Sequence, residues 1–201
     1  MRVVVPFAAT DPKTRLSSLL APDERRAFSR AMLSDVLEAI RGADGDPELL
    51  ATAPLDVDAP ITVDTRPLTA AVNAALDAGD ETAVVMADLP LASADALEAL
   101  FETPGDVVLA PGRGGGTNAI VSRHPDFRVD YHDGSFCKHR ARAREIGSVG
   151  IVDSHRLATD VDEPADLVEL LIHGEGRAAE WLSDAGFELV RKPSRLGVER
   201  V

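Results

Sequence analysis

Thr82-Ala83-Val84-Val85-Met86-Ala87 is the strongest strand signal in the chain, and Asp88 follows at its carboxyl end. Ala83 to Met86 are apolar at consecutive positions, so this strand is expected to be buried on both faces, as in a sheet covered by helices. Outward towards the N-terminus, Leu68, Val72, Ala75 and Leu76 mark a helix, and Ile61–Val63 and Leu49–Ala53 are short strand candidates. A longer helix starts at Pro22, carries Leu33, Val36, Leu37 and Ile40 on one face, and stops at Gly42 and Gly45. Val3 to Pro6 reads as the first strand. Outward towards the C-terminus, Ser93 caps a helix through Leu97, Leu100 and Phe101, and Val107 to Ala110 returns as a strand. A glycine-rich stretch from Gly112 to Asn118 then leads into a strand at Ala119–Ser122, and Ser135 is placed to cap a helix to about Arg144. Gly150–Val152, a helix from about Pro164 to Ile172 and another from about Ala178 to Ala185 complete the pattern. This alternation predicts an α/β fold with a mostly parallel central sheet flanked by helices, in one domain over residues 1–201.

Composition narrows the function. The 34 acidic against 21 basic residues leave a net charge of -13. A polyphosphate backbone would be repelled, because nucleic-acid binding draws its affinity from basic groups that release counterions. A small phosphorylated ligand needs only a few local cations. The only lysines are Lys13, Lys138 and Lys192. Excess carboxylate with scarce lysine fits a high-salt cytoplasm, where salt screens the self-repulsion of the surface, or an acidic protein from a GC-rich genome. The longest stretch without charged residues, Pro67 to Leu76, is about half of a bilayer span, so no membrane helix is expected. The apolar run after Arg2 is too short for a signal sequence, which makes a cytoplasmic protein the expectation. Cys137 is the only cysteine, which excludes an intrachain disulfide and a cysteine-built zinc site.

Ligands of open α/β sheets bind beyond the carboxyl ends of the strands, which directs attention to four segments. Lys13 and Arg15 lie on the loop after the first strand, where two cations can hold a triphosphate and offset charge on a leaving pyrophosphate. The same pair would also suit a solvated loop. Asp88 ends the central strand, a position for a hard cation such as Mg²⁺, or for a turn aspartate. In Thr159-Asp160-Val161-Asp162-Glu163-Pro164, an extended chain points Asp160 and Asp162 the same way, as metal ligands or with Asp162 as a helix cap. In Gly112-Arg113-Gly114-Gly115-Gly116-Thr117-Asn118, glycines let amides approach an anion, or simply make a turn. This run fits neither the Gly-x-x-x-x-Gly-Lys-Ser/Thr pattern nor Gly-x-Gly-x-x-Gly. The five histidines, His124, His132, His139, His155 and His173, lack i, i+4 pairing, and no Gly-x-Ser-x-Gly elbow occurs. The basic cluster from Lys138 to Arg144 reads as a solvated helix face or an anion site.

Taken in order, these segments resemble the CofC family of 2-phospho-L-lactate guanylyltransferases of coenzyme F-420 biosynthesis. The resemblance rests on Val3-Val4-Val5-Pro6, Lys13-Thr14-Arg15-Leu16-Ser17, Glu24-Arg25-Arg26, Ala31 to Leu37, Asn73-Ala74-Ala75-Leu76, Ala87-Asp88-Leu89-Pro90-Leu91, Gly114 to Ala119, Ser135-Phe136 and Asp160 to Pro164. It implies a GT-A-like nucleotidyltransferase fold and Mg²⁺-dependent transfer of GMP from GTP to a phosphorylated three-carbon acid. By the same resemblance, Asp88, Asp160 and Asp162 are metal ligands, and Lys13 and Arg15 lie at the nucleotide phosphates. Asn73 falls on the nucleotide side. Thr117, His132 and Ser135 fall in the acceptor-binding segment, with His132, where the family usually has glycine, acting through its backbone amide. A homodimer is suggested by the family. The alternatives are a nucleotidyltransferase of the same fold acting on a sugar phosphate or the molybdenum cofactor, or a non-catalytic GTP-binding module. Pro6-Phe7-Ala8-Ala9-Thr10 stands where the first of these carries a Gly-x-Gly-x-Arg loop, which counts against it.

Overall fold

A computed structural model of the chain describes residues 1–79, 81–193 and 195–201. Seven strands, β1 (Arg2–Phe7), β2 (Asp46–Ala51), β3 (Ile61–Val63), β4 (Thr82–Val85), β5 (Val107–Pro111), β6 (Thr117–Ser122) and β7 (Val149–Ile151), form one sheet in the order β3-β2-β1-β4-β6-β5-β7. All neighbours are parallel except β6, which runs antiparallel to β4 and β5. Every residue of β4 and β6 is buried, as expected of strands covered on both faces. The direction of β6 follows from its connection: a parallel crossover takes a dozen or more residues, and only 112–116 join it to β5.

Helix α1 (Pro22–Gly42) starts with proline in its first turn, and the Glu24 carboxylate accepts the Ala21 amide at 2.8 Å. Its apolar face, with Val36, Leu37 and Ile40, packs on the sheet, while Phe28 and Met32 turn to a second core. The helix is followed by a tight turn in which the Gly45 amide donates to the Ile40 carbonyl. A Cβ at Gly45 would lie 2.8 Å from the Ile40 side chain, so the turn requires glycine. Helices α2 (Leu68–Asp77) and α3 (Ala94–Glu102) follow, and the Ser93 hydroxyl accepts the Ala96 amide as the cap of α3. Then come α4 (Ser135–Ile146), α5 (His155–Ala158), α6 (Leu167–His173) and α7 (Arg177–Asp184).

The second core joins Leu16, Phe28, Met32, Val161, Leu167, Leu170 and Leu182 to a hairpin of β8 (Phe187–Lys192) and β9 (Arg195–Arg200). Sequence periodicity did not anticipate this hairpin or the single turn α5. Outside Phe187 and Val198 the hairpin is mainly exposed and charged, so its apolar alternation is faint. Asp35 on α1 accepts the amides of Arg177 and Ala178, satisfying donors that the start of α7 leaves open. Among the described residues no helix is long and apolar enough to cross a membrane.

Candidate active site

The carboxyl ends of β1, β2, β3 and β4 lie along one edge of the sheet, and a cavity of about 440 Å³ opens there. Phe7, Leu50, Thr52, Asp64, Arg66 and Met86 line one part of it, and Lys13, Arg15, Asp88 and Asp162 line another. The Ser29 hydroxyl of α1 also faces the cavity and is buried with no partner among the described residues. A polar ligand atom would satisfy it.

The segment after α5 reaches the end of the central strand through the backbone: the Val161 amide donates to the Asp88 carbonyl at 3.0 Å. This single bond brings Asp160 and Asp162 beside Asp88 across some seventy residues of sequence. The Asp166 carboxylate accepts the amides of Asp162 and Glu163 and fixes the turn that follows. Asp162 is therefore not the cap of α6, which begins only at Leu167.

Lys13 lies between the carboxylates, with its Nζ 2.6 Å from Asp88 Oδ2 and 2.6 Å from Asp162 Oδ1. Burial opposes its charge, but the two aspartates outweigh burial and hold its pKa above the usual lysine value. Asp160 is pushed above the usual carboxylate range, first by burial and further by the charges of Asp88 and Asp162, although Asn118 donates to it at 3.0 Å. Three carboxylates against one ammonium leave two negative charges. That charge and an all-oxygen donor set fit a hard dication. The three carboxylates do not close on a common point: among the described residues, the one set of three donor groups with atoms within 4.8 Å is His155, Glu169 and His173.

The loop that presents Lys13 is held by a residue to which sequence reasoning assigned no role. Arg25 of α1 is buried, donates to the carbonyls of Pro12 and Leu20, and pairs with Asp11. Asp11 and Lys13 both adopt positive φ, 44° and 53°, a backbone that non-glycine residues seldom take without such support. Arg15 is exposed at the cavity rim, where its guanidinium faces Glu163 at 3.4 Å.

The remaining expected residues do not line this cavity. Asn73 does not line the cavity; its amide group donates to the Val129 carbonyl at 3.1 Å and accepts the Val129 amide at 2.8 Å. It ties α2 to the 123–134 segment. The Ser135 hydroxyl does not cap α4, whose N-cap is Gly134, but accepts the Thr117 amide at 3.0 Å. Thr117 is buried with its hydroxyl 2.9 Å from His139 Nδ1. The His132 amide, expected to face the acceptor, donates to Asp130 Oδ1 at 3.2 Å. The glycine-rich stretch is a hairpin turn: the Gly112 amide donates to Gly116, that of Gly115 to Gly112, and that of Arg113 to Ala158. His139, fully buried in the supposed basic face of α4, is the centre of this polar layer.

The profile of the family described as "Guanylyl transferase CofC like" matches residues 1–201. The 2-phospho-L-lactate guanylyltransferase of Halomicrobium mukohataei is 63% identical over 202 residues, covering 100% of both chains. That of Haloferax volcanii is 59% identical over 203 residues, covering 100% of this chain and 98% of its own. These relatives come from halophilic archaea, in keeping with the acidic composition. Among solved structures, a protein described as a nucleotide-diphospho-sugar transferase from Desulfovibrio desulfuricans superposes with a TM-score of 0.69 at 17% identity, over 91% of this chain and 94% of that one. A Methanothermobacter nucleotidyl transferase gives 0.60 at 14% identity, over 86% and 97%. The structures establish the nucleotide-diphospho-sugar transferase fold, and the sequence relatives with the full-length profile show that the chain belongs to the CofC-like family of guanylyl transferases.

Proposed function

We propose that the cavity binds GTP and that the chain transfers GMP to 2-phospho-L-lactate, giving lactyl-2-diphospho-5'-guanosine and pyrophosphate. The observation that carries this reading is the pairing of Lys13 with Asp88 and Asp162 at the strand ends, with Asp160 near enough to feel both carboxylates, in a chain of this family. In the reaction an oxygen of the acceptor phosphate attacks the α-phosphorus of GTP, and the bond to the β-phosphate bridging oxygen breaks. The attacking oxygen is already anionic, so alignment and charge neutralisation are needed rather than a base.

Asp88, Asp160 and Asp162 would hold Mg²⁺, which supplies charge neutralisation at the triphosphate when bound. Lys13 is preplaced at the metal position and would turn from the carboxylates to the β- and γ-phosphates as the nucleotide enters. Arg15, exposed at the rim beside Glu163, would follow. The base would lie against Phe7, Leu50 and Met86, where the Asp64 carboxylate, already paired with Arg66, would use its remaining acceptor capacity for the N1–H and N2–H donors that guanine has and adenine lacks. Ser29 offers a hydroxyl to the same ligand. The acceptor is placed at the junction of the glycine turn and the start of α4, next to Asp160, with Thr117 and Ser135 fixing that junction from behind.

The test is pyrophosphate release from GTP with 2-phospho-L-lactate, phosphoenolpyruvate or phosphoglycerate as acceptor. The reading expects release to need Mg²⁺ and to fall by orders of magnitude in Asp88→Asn, Asp160→Asn and Asp162→Asn. Near-normal release in all three at limiting Mg²⁺ would make the carboxylates structural.

A further inference from the structure

A second cluster of ligand-type side chains stands apart from the aspartates. Glu169 and His173 are four residues apart on α6 and share one face, and His155 at the first position of α5 faces them. His155 Nε2 lies 3.5 Å and His173 Nε2 3.7 Å from the same oxygen, Glu169 Oε2. All three donor atoms fall within 4.8 Å of one another. Both separations exceed the roughly 2.7–3.2 Å of a hydrogen bond, so the groups converge without bonding one another. Ligands at about 2.0–2.1 Å from a tetrahedral ion sit about 3.3–3.4 Å apart, close to the spacing already present. The imidazoles pack edge to face, with ring centroids 5.2 Å apart at 79°, an arrangement that holds both rings in place.

The other oxygen of Glu169 faces the guanidinium of Arg113, 3.8 Å away, which orients the carboxylate. Two imidazoles and one carboxylate are the ligands of zinc-class ions, whereas Mg²⁺ prefers oxygen alone. His155 and His173 are about half exposed, at 52% and 48%, which leaves an entry path and room for water at the remaining position. Sequence scanning for His-x-x-x-His passes over this set because its helical pair is Glu169-x-x-x-His173 and its third member comes from another helix.

We propose that His155, Glu169 and His173 bind one divalent transition-metal ion of the zinc class. The site is distinct from the aspartate cluster. Its ligands lie on the two helices that flank residues 159–166, so the ion ties together both ends of the segment that carries Asp160 and Asp162.

The test uses the full chain in molar KCl, stripped with chelator and titrated with Co²⁺ alone. Wild type is expected to develop an intensified visible ligand-field band that saturates at one equivalent, bleaches with one equivalent of Zn²⁺, and accompanies a higher unfolding temperature. His155→Ala and Glu169→Gln should each weaken binding by more than about tenfold. Both positions are partly exposed, so the metal-free variants should unfold at the wild-type temperature. Asp88→Asn should keep the band. A spectrum no stronger than that of aqueous Co²⁺, or a band that survives in both ligand variants, would overturn the proposal.

Discussion

Replacing His139 with Gln tests the buried polar layer behind the site through its pH dependence. The Asp130 amide donates to His139 Nε2 at 2.8 Å, so the ring proton sits on Nδ1 and is donated to Thr117 Oγ1 at 2.9 Å. The imidazole is neutral, and burial, with the Arg142 charge adding to it, lowers its pKa from the usual 6.5 to about 4. Above the unfolded value both states are neutral and this residue gives no pH dependence. Below it the unfolded chain takes up a proton that the folded chain refuses until about pH 4, so stability falls as pH falls through that window. The full loss is on the order of 3 kcal/mol, and about 2.5 kcal/mol of it should be gone by about pH 4.5. Denaturant unfolding in molar KCl at neutral pH and at about pH 4.5 reads this directly. The wild type should lose about 2.5 kcal/mol more than His139→Gln across the interval. Asp35 and Asp160, both raised chiefly by burial, shift stability the other way, but they are common to both proteins and cancel in the difference. Equal losses in the two proteins would show that His139 is not held neutral by the fold.

Thr117→Val removes the acceptor of a buried N–H. It should cost about 1–3 kcal/mol of stability while raising the Michaelis constants for GTP and acceptor by similar factors, as fits a residue behind the site. Arg25→Met leaves the carbonyls of Pro12 and Leu20 without their donor, so the free energy of unfolding should drop by about 1–3 kcal/mol and the Michaelis constant for GTP should rise as the Lys13 loop loosens. Unfolding temperature should climb steadily from dilute buffer to molar KCl, because 34 acidic residues repel one another when unscreened; a flat profile would contradict this. Asp64→Asn should narrow the preference for GTP over ATP, measured as a ratio of kcat/KM values.

The central strand, the strand-end position of Asp88 and the pairing of Asp160 with Asp162 were legible because each depends on local pattern. Consecutive apolar residues mark a doubly covered strand, and alternation places two aspartates on one face. What joins them, the bond from the Val161 amide to the Asp88 carbonyl, is a tertiary backbone contact that no local pattern encodes. The antiparallel β6 was in principle legible from the five-residue turn before it, but a strand buried along its whole length shows no alternation that would tell one direction from the other. Thr117 and Ser135 are both legible as polar residues near the site, yet the Thr117 hydroxyl faces His139 and the Ser135 hydroxyl faces the Thr117 amide. A sequence places polar residues near a site without saying which way they turn. Arg25 was quoted only within a motif, since a buried arginine reading two carbonyls looks, in sequence, like any helix-surface charge.

The most direct measurement is the ³¹P spectrum of the products formed from GTP and 2-phospho-L-lactate with Mg²⁺ in molar KCl. GMP transfer predicts two coupled resonances from one unsymmetrical diphosphate diester, together with an equal amount of free pyrophosphate. GDP with inorganic phosphate, or GTP left unchanged beside intact phospholactate, would contradict the account.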